Sequence, residues 1–129
     1  MRRLSVIALL LAAAGCANLM APDPNARRFV VFFQPWSADI DGPALQAIQA
    51  AADDPKAKGG QRLLVIGYAD PTGSAKANEY LSEARAQQVA DQLVADGVPA
   101  ANIIIQGAGE TSYALSSQES RRVEIVATR

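Results

Sequence analysis

The sequence predicts an α/β protein, more narrowly an α+β two-layer sandwich. A small mixed four-stranded sheet would carry its helices mainly on one face, in the order β-α-β-α-β-β. Three observations carry this prediction. Four runs rich in β-branched or aromatic residues, RFVVFF, RLLVIGYA, the stretch around IIIQ and RRVEIVAT, are spread over residues 28–128 and read as strands. Segments with helical spacing of apolar residues separate the first three runs, whereas a loop alone separates the last two. The second run is apolar at both parities, as expected for a strand covered on both faces or central in its sheet.

Taken in order, the chain opens on Arg2 and Arg3, an apolar core at residues 4–14 and the small residues preceding Cys16. A short apolar core between basic and small residues reads as a secretory signal, residues 1–15, because a membrane span needs about 20 apolar residues. A buried helix or an uncleaved anchor is the alternative. AAGC resembles a bacterial lipobox, in which the cysteine is diacylated (the palmitate class of acyl chain) and becomes the first mature residue. In the sorting rule which that resemblance implies, Ala17 directs the product to the outer membrane. Cys16 is the only cysteine, so an oxidising compartment offers it no disulfide partner, and acylation would remove a free thiol. Cleavage would remove 15 of the 129 residues and leave 114, enough for one core.

Residues 16–27 form the acylated end and a short linker, with Pro22 and Pro24 and little periodicity. Residues 17–26 span at most about 35 Å when extended. The folded domain occupies 28–129. Its first strand is expected at 28–33 and a helix at about 43–52, with Leu45, Ile48 and Ala52 on its inner side. Pro55 and the pair Gly59-Gly60 end that helix. The second strand covers 62–69. A long helix follows at 74–95, with Ser74 as N-cap and Gly97 as C-terminal stop. The third strand lies around 103–106, GAGE at 107–110 reads as the turn after it, and the last strand covers 121–128.

The long helix contains an anomaly. Its apolar side centres on Ala86, Val89 and Leu93, but towards the N-terminus the same stripe meets Asn78, Ser82 and Arg85. Polar groups facing a core need partners, since an unpaired one costs about 1–3 kcal/mol. The helix starts just after the loop carrying Asp70 and Thr72, so loop and stripe must be neighbours. In the last strand Val123, Ile125 and Ala127 form the core face, and Arg121 extends that face to the rim of the sheet. Asp70, Thr72, Asn78, Arg85 and Arg121 thus converge at one sheet end. One reading is a structural ion pair between Asp70 and Arg85. The other follows from two arginines facing one aspartate, which leaves positive charge to spare. Such a site suits a small zwitterion, with its ammonium on Asp70 and its carboxylate on Arg85.

These residues lie within GYAD-PTGS-AKANEYLSEARAQQVADQLVADGVPAANIIIQGAGET and SRRVEIV, which resemble the OmpA-like peptidoglycan-binding domain over roughly residues 29–126. The shared elements are an aspartate before a glycine loop, N-x-x-L-S-x-x-R-A, G-V followed by isoleucine, G-x-G-E and R-R-V-E-I. The resemblance implies a non-catalytic domain that binds the diaminopimelate of cell-wall stem peptides. Asp70 and Arg85 occupy the two main ligand positions, with Thr72, Asn78 and Arg121 in support. With acylated Cys16 it resembles the lipidated members, the peptidoglycan-associated lipoproteins, implying a periplasm-facing anchor in the outer membrane. Tyr68, Ala69 and Ser120 depart from the usual histidine, threonine and asparagine, and the 111–119 loop is short. Gln34 and Trp36 replace an aspartate and small polar residues. Trp36 either walls the ligand's aliphatic stem or caps the core.

Other functions find little support. The domain is mildly acidic, with a formal charge of −1 that becomes −3 once Arg2 and Arg3 are removed, and it has no basic stripe for nucleic acid. With no histidine and no second cysteine, zinc and redox sites lack ligands and no cofactor is expected. None of Ser74, Ser82, Ser112, Ser116, Ser117 and Ser120 has a histidine to activate it. Glu110 and Glu119 could form a glycosidase-like pair, but their context reads as solvated charge. The rival is an OmpA-like module that docks an envelope protein, with wall binding reduced or lost.

Overall fold

A computed structural model of the chain describes residues 21–110 and 117–129; Cys16, the expected leader and most of the shortened loop lie outside them. The elements are β1 (Arg28–Phe32), α1 (Gly42–Ala52), α2 (Pro55–Lys58), β2 (Leu63–Ala69), α3 (Ala75–Ala95), a 3₁₀ turn (Ala100–Asn102), β3 (Ile103–Glu110), α4 (Ser117–Ser120) and β4 (Arg122–Ala127). The strands form one mixed sheet in the order β1-β4-β2-β3. β4 is antiparallel to both β1 and β2, and β2 is parallel to β3. The apolar β2 is therefore central, and the predicted two-layer α+β sandwich is the observed one.

The main core lies between the sheet and the helices. Val31, Val65, Val123 and Ile125 meet Ile48 of α1 and Ala86, Val89 and Leu93 of α3, each 1% exposed or less. Burying an aliphatic side chain of this kind stabilises the fold by about 1.5–3 kcal/mol. α3 begins where expected: Ser74 accepts a 3.1 Å hydrogen bond from the Ala77 N–H. Gly97, at φ 104°, follows its C-terminal cap.

Several expectations are corrected. Leu45 is 42% exposed, and Ala44, Ile48, Ala51 and Ala52 form the inner side of α1 instead. Asp41 caps α1 by accepting from the Ala44 N–H at 2.8 Å, which fixes that rotation. Pro55 does end α1, but it also starts α2, with Asp54 as N-cap. GAGE is not a turn: β3 runs through it to Glu110. Glycine lets α3 pack closely on the strand, since a Cβ on Gly107 would lie 2.3 Å from Glu83 Cγ and 3.1 Å from the Glu83 backbone nitrogen. Val126 lies on the second face, as expected from parity, yet it is buried with Leu64 and Ile66 beneath Ala26, Tyr68 and Ile104.

Residues 21–26, read from the sequence as linker, dock on the domain. Pro22 bridges Thr128, Asp23 N–H donates to the Ala127 carbonyl at 2.9 Å, and Arg129 N–H donates to the Ala21 carbonyl at 3.1 Å. The Asp23 carboxylate pairs with Lys56 and also accepts from the Asn25 N–H. No helix among the described residues is long and apolar enough to cross a membrane.

Candidate functional site

The polar half of α3 sits against the sheet because β2 is bare there. A Cβ on Gly67 would lie 1.9 Å from the Ser82 carbonyl oxygen, so only glycine permits this approach. Asn78, Ser82 and Arg85 are consequently 1% exposed or less, and each has found partners. Ser82 Oγ donates to the Glu79 carbonyl at 2.7 Å and accepts from the Gly109 N–H at 2.9 Å. Asn78 Nδ2 donates to the Thr72 carbonyl at 2.8 Å and to Glu110 Oε2 at 3.2 Å.

Arg85 is the largest fully buried side chain among the described residues. Its Nε donates to the Ser37 carbonyl at 2.8 Å, Nη1 to that of Tyr68 at 3.0 Å and Nη2 to that of Gln34 at 3.1 Å. The guanidinium also lies 5.3 Å from the centroid of the Phe33 ring. Burial, helped by neighbouring Arg121 and opposed by Asp70, pushes its pKa down to about 10. It therefore remains a cation at neutral pH. Arg85 ties the 34–37 turn to the end of β2.

Asp70, one residue past β2, pairs with the other arginine. Its Oδ2 accepts from Arg121 Nη1 at 3.0 Å, and Arg121 Nε donates to the Phe33 carbonyl at 3.0 Å. Both side chains of this pair are 15% exposed. The ion pair between Asp70 and Arg85 considered from the sequence is not the one formed. β4 lies next to β2, which brings Arg121 to the carboxylate from the sheet side, while backbone carbonyls occupy Arg85.

All five residues expected in the site line one cavity, together with Pro35, Trp36 and Leu81. Its volume is about 10 Å³, room for roughly one water. A wider groove of about 390 Å³ runs along β1, lined by Val30 to Gln34, Asp41, Pro43, Ala44, Gln118 and Arg121. Arg121 borders both. Two departures singled out in the sequence are now located. The Tyr68 side chain is on the opposite sheet face, where Arg122 stacks on its ring at 4.1 Å and its hydroxyl donates to Glu124 at 3.4 Å. Trp36 does not cap the core: it is 62% exposed at the cavity rim.

Sequence reasoning missed the part played by Glu110, which it read as a solvated loop charge. Glu110 ends β3 and accepts from Asn78. Recognising GAGE as strand would have placed it there. The carbonyls that hold Arg85 left no side-chain signal to read.

The family model for the OmpA family matches residues 32–125. Outer membrane protein A of Serratia odorifera is 44% identical over 69 residues, 54% of this chain and 27% of that protein. Outer membrane protein 41 of Porphyromonas gingivalis is 41% identical over 68 residues, 52% of this chain and 17% of that protein. The chain thus spans about a quarter or less of the length of these curated relatives. Among solved structures, the peptidoglycan-associated lipoprotein of Burkholderia pseudomallei matches 77% of this chain and 89% of its own, with TM-score 0.69 and 22% identity. The OmpA-like domain of FopA1 from Francisella tularensis matches 79% of this chain and 73% of its own, with TM-score 0.66 and 26% identity. The family match covers β2, β3, the long helix and all five residues expected in the site, and the chain belongs to the OmpA family.

Proposed function

We propose that this domain is a non-catalytic anchor that grips peptidoglycan by the diaminopimelate of its stem peptides, with Asp70, Thr72, Asn78, Arg85 and Arg121 as the binding residues. The observation that carries the reading is the shared cavity, with an exchangeable ion pair, Asp70 to Arg121, at its mouth. A zwitterionic amino-acid end can replace that pair without stranding a charge. Its ammonium takes Asp70, and its carboxylate takes the guanidinium of Arg121. The sequence reading gave the carboxylate to Arg85, which spends three of its five N–H groups on carbonyls. Arg85 adds fixed positive charge to the cavity it lines, and Asn78 holds the 70–73 loop through Thr72.

A few charge-assisted contacts of about 1.5–3 kcal/mol each, less the cost of immobilising the ligand, leave a dissociation constant of roughly 10 μM to 1 mM. Many copies acting on a repeating polymer compensate for weak single contacts. The polarity of the domain supports an anchoring role. The N-terminal segment docks beside Thr128, next to the start of β2, and Asp70 follows its end. Seven residues of strand separate the two poles by about 20 Å. In this reading residues 1–15 are a signal, Cys16 carries the lipid in the outer membrane, and the site faces the wall.

Sedimentation of the chain with purified sacculi tests the binding claim: wild type should pellet and Asp70→Ala should stay in the supernatant. Wild type remaining soluble would refute it. Membrane fractionation tests the lipid claim, since Cys16→Ala should release the protein and unchanged retention would exclude that anchor. The groove along β1 favours a second reading, docking of an envelope protein segment beside the sheet edge. Failure of wild type to bind sacculi would leave that one standing.

A further inference from the structure

Trp36 is the only tryptophan in the chain. It is also the only non-glycine among the described residues with positive φ, at 53°. A bulky residue in the left-handed region is strained and persists only when its surroundings over-determine it. The core does not hold it, because 62% of the residue is exposed. Two other features do. The backbone on either side is pinned by Arg85, which takes the carbonyls of Gln34 and Ser37 at 3.1 and 2.8 Å. The indole lies on Gly73: a Cβ there would be 2.9 Å from Trp36 Cη2, 3.6 Å from Cζ3 and 3.8 Å from Cζ2. Gly73 has φ 80° and no side chain, so the 71–73 loop offers a flat seat.

Trp36 is part of the wall of the Asp70 cavity. At about 10 Å³ the cavity is far smaller than ligand sites, which run to roughly 300–1,000 Å³. The charged groups at its mouth are meanwhile only 15% exposed.

We infer that Trp36 is a cover seated on Gly73, and that the zwitterionic end of a stem peptide enters only when the indole lifts away. This rests on the wall-binding reading for the identity of the ligand. A cover closed in the resting state lowers apparent affinity by the fraction of molecules that are open. Trp36 then works against binding, as a gate, rather than as a stacking wall.

The test uses the full chain in detergent, where all tryptophan emission comes from Trp36, titrated with a muropeptide carrying meso-diaminopimelate. Acrylamide quenching of wild type should rise on binding, and Trp36→Ala should bind about five-fold tighter. Gly73→Ala, which intrudes on the seat, should raise quenching without ligand. Weaker binding by Trp36→Ala, or quenching that falls when wild type binds, would overturn the cover and leave wall binding intact. Quenching unchanged in Gly73→Ala would overturn the seat alone. Absence of binding by both wild type and Trp36→Ala would remove the cover and the wall-binding reading together.

Discussion

Replacing Arg85 with alanine should damage the fold before it damages binding. The change strips the carbonyls of Ser37, Tyr68 and Gln34 of a charged donor, although the Gln34 carbonyl keeps the Ser37 N–H at 3.2 Å. Hydrogen bonds from a charged group contribute about 1.5–3 kcal/mol each, so three amount to roughly 5–9 kcal/mol. Against this stands the cost of holding a cation where its pKa falls from 12.5 to about 10, which is about 3 kcal/mol at 1.36 kcal/mol per unit. Losing a fully buried side chain whose guanidinium lies over the Phe33 ring adds to the damage, and relaxation and water entry subtract from it. The net loss is about 3–5 kcal/mol, as for other buried charges deprived of a partner. That is a large share of the ~5–15 kcal/mol typical of a domain and should lower Tm by roughly 10–25 °C. Asp70→Ala removes one partner of a largely buried pair and should cost about 1–3 kcal/mol, less than Arg85→Ala, because Arg121 keeps its bond to the Phe33 carbonyl. Urea denaturation followed by circular dichroism checks both. If Arg85→Ala unfolds within 1 kcal/mol of wild type while losing sacculus binding, Arg85 is a ligand contact and its scaffold role is wrong.

Further outcomes are expected. Gly67→Ala places a methyl 1.9 Å from the Ser82 carbonyl oxygen; α3 must shift, and a loss of about 3 kcal/mol or more is expected from such overpacking. A midpoint in urea equal to that of wild type would disprove the close approach. Asn78→Ala strips the Thr72 carbonyl and Glu110 of their shared donor and should cost about 1–3 kcal/mol. Hydrogen exchange in the 71–74 loop should quicken, and no change there would contradict the loop-holding role. The linker dock should respond to pH. The bond from Lys56, then that from the Asn25 N–H, holds the Asp23 carboxyl below its usual 3.8. Its contribution is therefore present above pH 3.8 and lost as pH falls through the lower folded value. Exchange of the Asp23 N–H, which bonds the Ala127 carbonyl, should accelerate in that acid range, and Lys56→Ala should weaken the dependence, leaving the part carried by the Asn25 N–H.

The legibility of the site varied with how local each signal was. The stripe of Asn78, Ser82 and Arg85 was readable because a helix sets its own 3.6-residue period, and all three are buried as that period required. Arg121 was placed at the rim by strand parity alone, and it is there. The ion pair weighed from the sequence, Asp70 with Arg85, does not form, because which guanidinium reaches Asp70 depends on β4 lying beside β2. GAGE looked like a turn because paired glycines usually mark one; here Gly107 clears Glu83 of the crossing helix. Leu45, Ile48 and Ala52 share helical spacing, while the cap at Asp41 set the rotation of α1 that turns Ala44 inward instead of Leu45.

Amino-acid order alone determined the number and kind of the main elements and the two-layer class. It also determined the set of side chains that meet at one end of the sheet. Each of these follows from periods of two or 3.6 residues and from turn chemistry, which act over a few neighbours. The tertiary structure decided which charges pair, which carbonyls Arg85 holds, and that Trp36 lines the cavity against Gly73. Those depend on distances between segments far apart in the chain, such as Gln34 and Arg85, 51 residues apart, or Asp70 and Arg121, also 51 apart. Contacts at such separations are set by sheet order and by how closely bare glycine backbone lets α3 approach.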